Sequence, residues 1–267
     1  MFKFVSQKKQ LILKQHLKNR LELAVTLAIT DMKIRYKNSI LGFVWSLITP
    51  LVYLGIFVAI FSSRFDIERY PLYAITGLIF WNFFNTTVTQ VLISVISKAE
   101  VLKSMNIPTL IFPISSLLSA LINLLLSLIP FFVIMFFFDF RLSWETLQFI
   151  YVLFTFACFT LGFSLILTAY NVYFRDIGML WNTVNPALFY FTPIIWDLGM
   201  LPENSIMQKI ILFNPIHHFL DAFRSAFYSN EWMSLQQIGI ITALGLGMLF
   251  IGYRVFSKLE KGFFSHY

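Results

Sequence analysis

The sequence predicts an all-α integral membrane protein: six transmembrane helices, an N-terminal interfacial amphipathic helix, and outer re-entrant helices between spans 5 and 6. Hydrophobic residues form 58% of the 267 and charged residues only 12%, about half the charged share of an ordinary soluble domain, which excludes a water-facing globule. The charges are also missing in blocks. Residues 38–63, 70–97, 104–138, 146–174, 177–196 and 232–253 contain no Asp, Glu, Lys or Arg, and about 20 apolar residues carry a helix across roughly 30 Å of hydrocarbon. The third observation is sidedness. With the amino terminus inside, 15 of the 20 Lys and Arg fall on inner segments, leaving Arg64, Arg69, Arg141, Lys209 and Arg224 outside, as the positive-inside rule requires. Both termini are therefore expected in the cytoplasm, and the formal charge of +7 calls for no nucleic-acid partner. No secretory signal is read before Met32, because the first long apolar run follows a basic stretch. One membrane domain, 1–267, is expected: 1–42 cytoplasmic or interfacial, 43–253 a six-span core, 254–267 a cytoplasmic tail.

Ahead of the first span, Leu21, Val25, Ala28, Ile29, Met32 and Tyr36 recur at helical spacing, while Glu22, Thr26, Thr30, Lys33 and Lys37 take the other face. That pattern suits a helix lying in the membrane interface, as a basic anchor or as a docking element. In the second span Trp81 lies mid-membrane beside a polar stripe, Asn82, Asn85, Thr86 and Thr89, which reads as hydrogen-bonding glue or as a pore lining. The third run is longer than a span needs and carries Pro108, Pro113 and Pro130. Proline is tolerated at a helix start and kinks its interior, so this helix should begin between Pro108 and Pro113 and bend near Pro130. The fourth run, 146–174, is a plain span. Pro186 and Pro193 predict a kinked or interrupted fifth. Beyond it, the apolar stretches 206–212 and 213–227 are too short to cross and meet around Asn214-Pro215, which reads as a re-entrant pair or as two helices on the outer leaflet. Trp45 and Trp181 fall near inner ends, and Trp144, Trp196 and Trp232 near outer ends, where interfacial aromatics belong.

Absences narrow the chemistry. No ionisable group lies mid-span, which argues against ion-coupled transport; His16, His217, His218 and His266 all fall outside the runs, and Cys158 is alone. No G-x-x-x-x-G-K-[ST] phosphate loop occurs, so the chain is expected to be no enzyme, to hold no cofactor or metal, and to draw any driving energy from a separate subunit. If it were an enzyme, its candidates would be Asp66 with Glu68, a metal-binding pair or solvated charges, and His217, His218 and Asp221, a base with its orienting partner or a structural cluster. If it is a conduit, the candidates are aromatic: Tyr53, Tyr170, Tyr190 and Phe191, with Trp45 and Trp181 at the inner mouth. Rings stack on sugar faces and tyrosine hydroxyls share labile hydrogen bonds, although in a chain with 32 phenylalanines such rings also serve as lipid-facing and packing surface.

The run Asp31-Met32-Lys33-Ile34-Arg35-Tyr36-Lys37-Asn38-Ser39-Ile40-Leu41-Gly42-Phe43-Val44-Trp45 with Pro50, then Val172-Tyr173-Phe174-Arg175-Asp176-Ile177, Tyr190-Phe191-Thr192-Pro193-Ile194 and Asn214-Pro215, resembles the permease subunits of type-2 ABC transporters that export O-antigen, capsule or wall teichoic acid. The resemblance implies a homodimer bound to two cytoplasmic ATPase subunits, which hold the ATP and magnesium, in a bacterial inner membrane. It implies that Lys98, Glu100, Val101, Leu102 and Lys103 dock into the ATPase. It implies an aromatic channel built from the first and fifth spans, outer gate helices around Asn214, Pro215, His217 and His218, and a polysaccharide carried on a polyprenyl diphosphate. Arg35 and Lys37 either attract that diphosphate or anchor the chain electrostatically. The Lys-Ile-Arg-Tyr-Lys-x-Ser-x-Leu-Gly-x-x-Trp form looks most like the O-antigen exporters. Capsule or teichoic-acid export, a drug or lipid permease of the same class, and a membrane-embedded transferase on lipid-linked sugars are the alternatives; the transferase would make His217, Asp221 or Asp66 with Glu68 indispensable.

Overall fold

The structure, a computed structural model, describes residues 20–37, 39, 41, 42, 44–104, 107–137 and 143–265. The basic residues before Arg20, with His16, Arg141 and His266 and the motif residues Asn38, Ile40 and Phe43, lie outside the described residues.

Among the described residues the chain is helical throughout, with no strand. Helix α1 covers 20–36, α2 Val44–Phe61, α3 Tyr70–Ser94, α4 Ala99–Ser104, α5 Ile111–Phe137, α6 Gln148–Tyr173, α7 Asp176–Phe191, α8 Ile206–Leu212, α9 Pro215–Arg224 and α10 Leu235–Leu259. Local chemistry sets the boundaries. Helix α5 starts between Pro108 and Pro113, as expected, with Pro113 in its first turn, where a missing N–H costs nothing. Helix α7 stops at Phe191 because Thr192, pushed extended by the following Pro193, leaves it at φ −101 and ψ 132. Asn214 caps α9 through the Ile216 N–H, with Pro215 at its first position. Ser234 and Gln237 form a capping box on α10.

Among the described residues four helical stretches are long and apolar enough to cross a membrane: Val44–Phe61, Ile111–Phe137, Trp144–Tyr173 and Leu235–Phe263. The pair Tyr70–Ser94 and Ile96–Lys103, bent by 46°, makes a fifth. Helix α7, at 16 residues, reaches only roughly 24 Å at about 1.5 Å per residue, so it does not qualify by length alone.

Helix α3 is the central post, buried along most of its length and packed on α2, α5, α6, α7 and α9. The most extensive pairing is α6 with α10, and these two run parallel. Gln148 bonds to the backbone of Glu231 and Met233, Tyr151 meets Thr242, Gly162 lies against Gly252, and the Tyr173 hydroxyl donates to the Leu259 carbonyl. The chain between them must therefore return from one end of the bundle to the other. Helix α7 makes that return antiparallel to α3, with Trp181 bonded to Thr89 and Asn185 to Asn85 on the way. The two stretches after it differ. Helix α9 is packed into the bundle against α3, α6 and α10, with Ile216, Phe219, Leu220, Ala222 and Phe223 buried, while α8 leaves Ile206, Met207 and Ile210 exposed.

Candidate functional site

A cavity of about 300 Å³ opens between α2, α3 and α7. Tyr53 from α2, Trp81, Asn82 and Asn85 from α3, and Asn185 and Tyr190 from α7 form much of its wall. The polar stripe on α3 bonds to α7, as glue would, and two of its amides line the cavity. Asn85 accepts from Asn185 at 2.9 Å and from Thr89 at 3.3 Å, Thr89 accepts from the Trp181 indole at 3.1 Å, and Thr86 donates to Asn82 at 3.4 Å, so these groups tie α7 to α3 while Asn82 and Asn85 face the cavity. Rings beside amides make a surface that stacks on one face of a sugar and bonds its hydroxyls. A second, apolar hollow of about 290 Å³ follows along the chain, lined by Tyr190, Phe191, Trp196, Leu201, Met207 and Ile211. Tyr190 borders both.

Of the aromatics picked from the sequence, Tyr53 and Tyr190 meet in the first cavity and Phe191 lies in the second. Trp45 and Tyr170 are exposed and line neither. Trp181 is a core residue, 4% exposed, edge-on to Phe84 and Phe163. Asn82 and Asn85 belong to the stripe read as glue or pore lining, whereas Trp81 and Asn185 were not picked from the sequence for the cavity wall.

Beyond α7 the chain turns through 192–196 without helix or strand, and side chains satisfy its carbonyls one after another. Arg224 donates to Pro193 O at 2.7 Å and to Ile194 O at 2.8 Å, the Tyr70 hydroxyl to Ile195 O at 3.0 Å, and the Tyr73 hydroxyl to Trp196 O at 2.9 Å. Asn214 closes the series by donating to the Thr192 hydroxyl at 2.9 Å. Arg224, 7% exposed, also stacks 3.5 Å from the centroid of the Tyr73 ring. The sequence placed Arg224 on an outer segment without a role. A lone cation inside the apolar stretch 213–227 was the signal available.

Around α9, His218 bonds the Leu212 carbonyl at 2.9 Å, and Asp221 accepts from Gln237 at 2.9 Å. The buried Nδ1 of His217 has no partner, so His217 and Asp221 do not form the hydrogen-bonded pair a general base requires. Glu68 pairs with Arg69 at 3.3 Å. Burial holds the His217 imidazole below the usual 6.5, opposed chiefly by the nearby Asp221. The unfolded chain then takes up this proton before the folded one does, so stability falls as pH drops through 6.5 and levels off below the folded value. The melting temperature of the detergent-solubilised protein should decline between about pH 7.5 and about pH 5.5, and less steeply in His217→Gln; parallel curves for the two proteins would refute this.

At the opposite end, Glu100, Val101 and Lys103 are exposed while Leu102 is buried, so the segment after the α3 bend is anchored by one residue and presents the others. Arg35 and Lys37 are exposed at the end of α1, two positions apart and hence on different faces.

Comparison with known proteins agrees with this architecture. Residues 22–228 match the family model described as ABC-2 type transporter. The O-antigen export system permease protein RfbA of Klebsiella pneumoniae is 30% identical over 245 residues, 91% of this chain and 93% of the relative. RfbA of Myxococcus xanthus is 24% identical over 243 residues, 90% of this chain and 94% of the relative. The capsule polysaccharide export inner-membrane protein CtrC of Neisseria meningitidis serogroup B is 20% identical over 237 residues, 85% of this chain and 87% of the relative. With the model matched over most of its length and bundle-forming helices of crossing length, the chain belongs to the ABC-2 type transporter family.

Proposed function

We propose that this chain is the membrane permease of an ATP-driven exporter that moves a polyprenyl diphosphate-linked polysaccharide, O-antigen in the first instance, across the bacterial inner membrane. The observation that carries it is the aromatic-and-amide cavity between α2, α3 and α7, in a chain collinear over 91% of its length with an O-antigen export permease. The capsule permeases stand further off, at 20% for CtrC, which favours O-antigen over capsule.

The parallel pairing of α6 and α10 supports a reading of six crossings. If both enter from the outer side, α7 with its non-helical 192–196 continuation is the fifth crossing, and α9 is a re-entrant helix whose neighbours satisfy the broken backbone. Both termini then lie in the cytoplasm, with 43–253 as the six-span core of one permease domain. Asn182, exposed near the middle of α7, supports a homodimer, because an amide facing lipid costs several kcal/mol, roughly 2–7 on transfer scales, and a second copy or a watered channel at this face removes that cost. Exposed Lys98-flanking residues Glu100, Val101 and Lys103 form the surface for the ATPase, which supplies the ATP and magnesium site. Arg35 and Lys37 attract the diphosphate of the carrier lipid at the inner face. Asn214, Pro215, His217 and His218 belong to the outer gate.

Gentle purification of the chain from its native membrane tests this reading. A P-loop ATPase should accompany it in stoichiometric amount and be lost when Val101 and Lys103 are both changed to Asp, with surface polysaccharide disappearing in the same cells. An active preparation without an ATPase, sensitive instead to His217 or Asp221, would establish the transferase.

A further inference from the structure

Helix α1 and the segment after α3 are far apart in sequence, yet one ion pair fastens them. The Lys98 ammonium donates to both carboxylate oxygens of Asp31, at 2.8 and 2.7 Å, and lies 5.7 Å from the centroid of the Phe112 ring. Both side chains are half-buried, 21% and 23% exposed. Beneath them Ala24, Val95, Leu102, Ile111 and Phe112 form one buried cluster, so the pair caps the place where α1, the bend and the start of α5 converge.

The faces of α1 explain why the contact sits there. Ala24 and Ala28 are buried with Asp31 half-buried below them, while Leu21, Val25 and Ile29 are exposed, and Glu22, Thr26, Thr30 and Lys33 are exposed on a third side. One stripe meets protein, one suits lipid and one suits water, which is the arrangement of an interfacial helix. Ala24 with Leu23 and Leu27 supplies an apolar, non-directional contact with the buried cluster, and the charged pair adds the directional bond that fixes this part of α1 to the bend. A second tie, the Tyr36 hydroxyl to Asn123 at 3.1 Å, lies one turn further on. From there a short connection enters α2, which carries Thr49, Tyr53 and Phe57 of the cavity wall. Helix α3 cannot carry a displacement in the same way, because it is packed on all sides.

We propose that Asp31 and Lys98 are a positioning pair through which movement of the 96–103 segment is passed to α1 and on to α2, coupling ATP hydrolysis to the substrate pathway. This rests on the permease reading above. A partly exposed ion pair contributes little to fold stability, so its removal uncouples rather than unfolds.

The test uses the full chain with its co-purified ATPase, comparing Asp31→Lys, Lys98→Asp and the double exchange. ATPase stoichiometry and hydrolysis are read on the purified complexes, and surface polysaccharide on the cells. Asp31→Lys should leave ATPase binding intact and hydrolysis within about twofold, while export falls about tenfold in either single reversal, a usual size for coupling between sites. The double exchange should restore export, and Lys98→Arg should lose little. Single variants that export normally, or a double exchange that fails to restore, overturn the relay while wild type still exports. Loss of the ATPase from the Lys98 variant, uncured by the exchange, overturns it too, since Lys98 would then be a docking residue. A wild-type chain that carries no ATPase fails the permease reading itself.

Discussion

Arg224→Ala is expected to abolish the well-folded protein. Its guanidinium supplies the bonds to Pro193 O and Ile194 O, and truncation leaves two buried carbonyls unpaired at about 1–3 kcal/mol each, on top of the lost stacking on Tyr73. A loss of roughly 2–6 kcal/mol is a large part of the stability of an ordinary domain. Gly77 shows how tightly this site is built, because a Cβ there would stand 2.5 Å from the Ile194 carbonyl oxygen and 3.1 Å from the guanidinium. The measurement is thermal melting of the detergent-solubilised protein followed by size exclusion. Arg224→Lys, able to reach one carbonyl, should fall between the Ala variant and the native chain, and Tyr73→Phe, which keeps the ring under the guanidinium and removes only the hydroxyl's bonds to Trp196 O and the Asp197 carboxylate, should be mild. An Ala variant that melts with the native chain would show that the 192–196 segment is held by something else.

Gly252→Val is the second large effect. A Cβ at Gly252 would lie 2.1 Å from the Gly162 carbonyl oxygen, and one at Gly162 would lie 2.3 Å from that of Met248. Backbone, unlike a side-chain tip, cannot swing aside, so α6 and α10 must separate along the most extensive pairing in the bundle. Overpacking in a core commonly costs about 1–3 kcal/mol, and here the loss of helix contact adds to it, since helices in lipid associate chiefly by close packing. Gly247, on the same helix, has nothing within 4 Å of an added Cβ, so Gly247→Ala is the control. A monodisperse peak for the control and an aggregated one for Gly252→Val is the expected pair of results; equal behaviour would refute the tight α6–α10 contact.

Much of the protein was legible before its structure. Five of the six charge-free runs coincide with stretches long and apolar enough to cross among the described residues, counting the bent α3 pair as one, and the prolines foretold the start of α5 and the break after α7. The polar stripe on α3 was visible, but its partner was not: Asn185 lies 100 residues from Asn85, and no periodicity connects them. Tyr53 and Tyr190 could be picked as ring-bearing residues of two spans, yet so could Trp181, and nothing local distinguishes a ring in a wall from one in the core. Arg224 looked like an outer loop charge because a stretch of 213–227 shows only its own composition, and not the carbonyls of 193 and 194 packed above it.

Sequence by itself determined the fold class, the crossing segments and the expected sidedness, because partition into a bilayer is decided segment by segment, from local transfer free energies and flanking charge. Tertiary structure alone decided that α6 and α10 run parallel on paired glycines, that Asp31 meets Lys98, and that five rings and three amides line one cavity. Those outcomes depend on the depth, rotation and tilt of each helix, which close packing with distant partners sets and hydropathy does not encode.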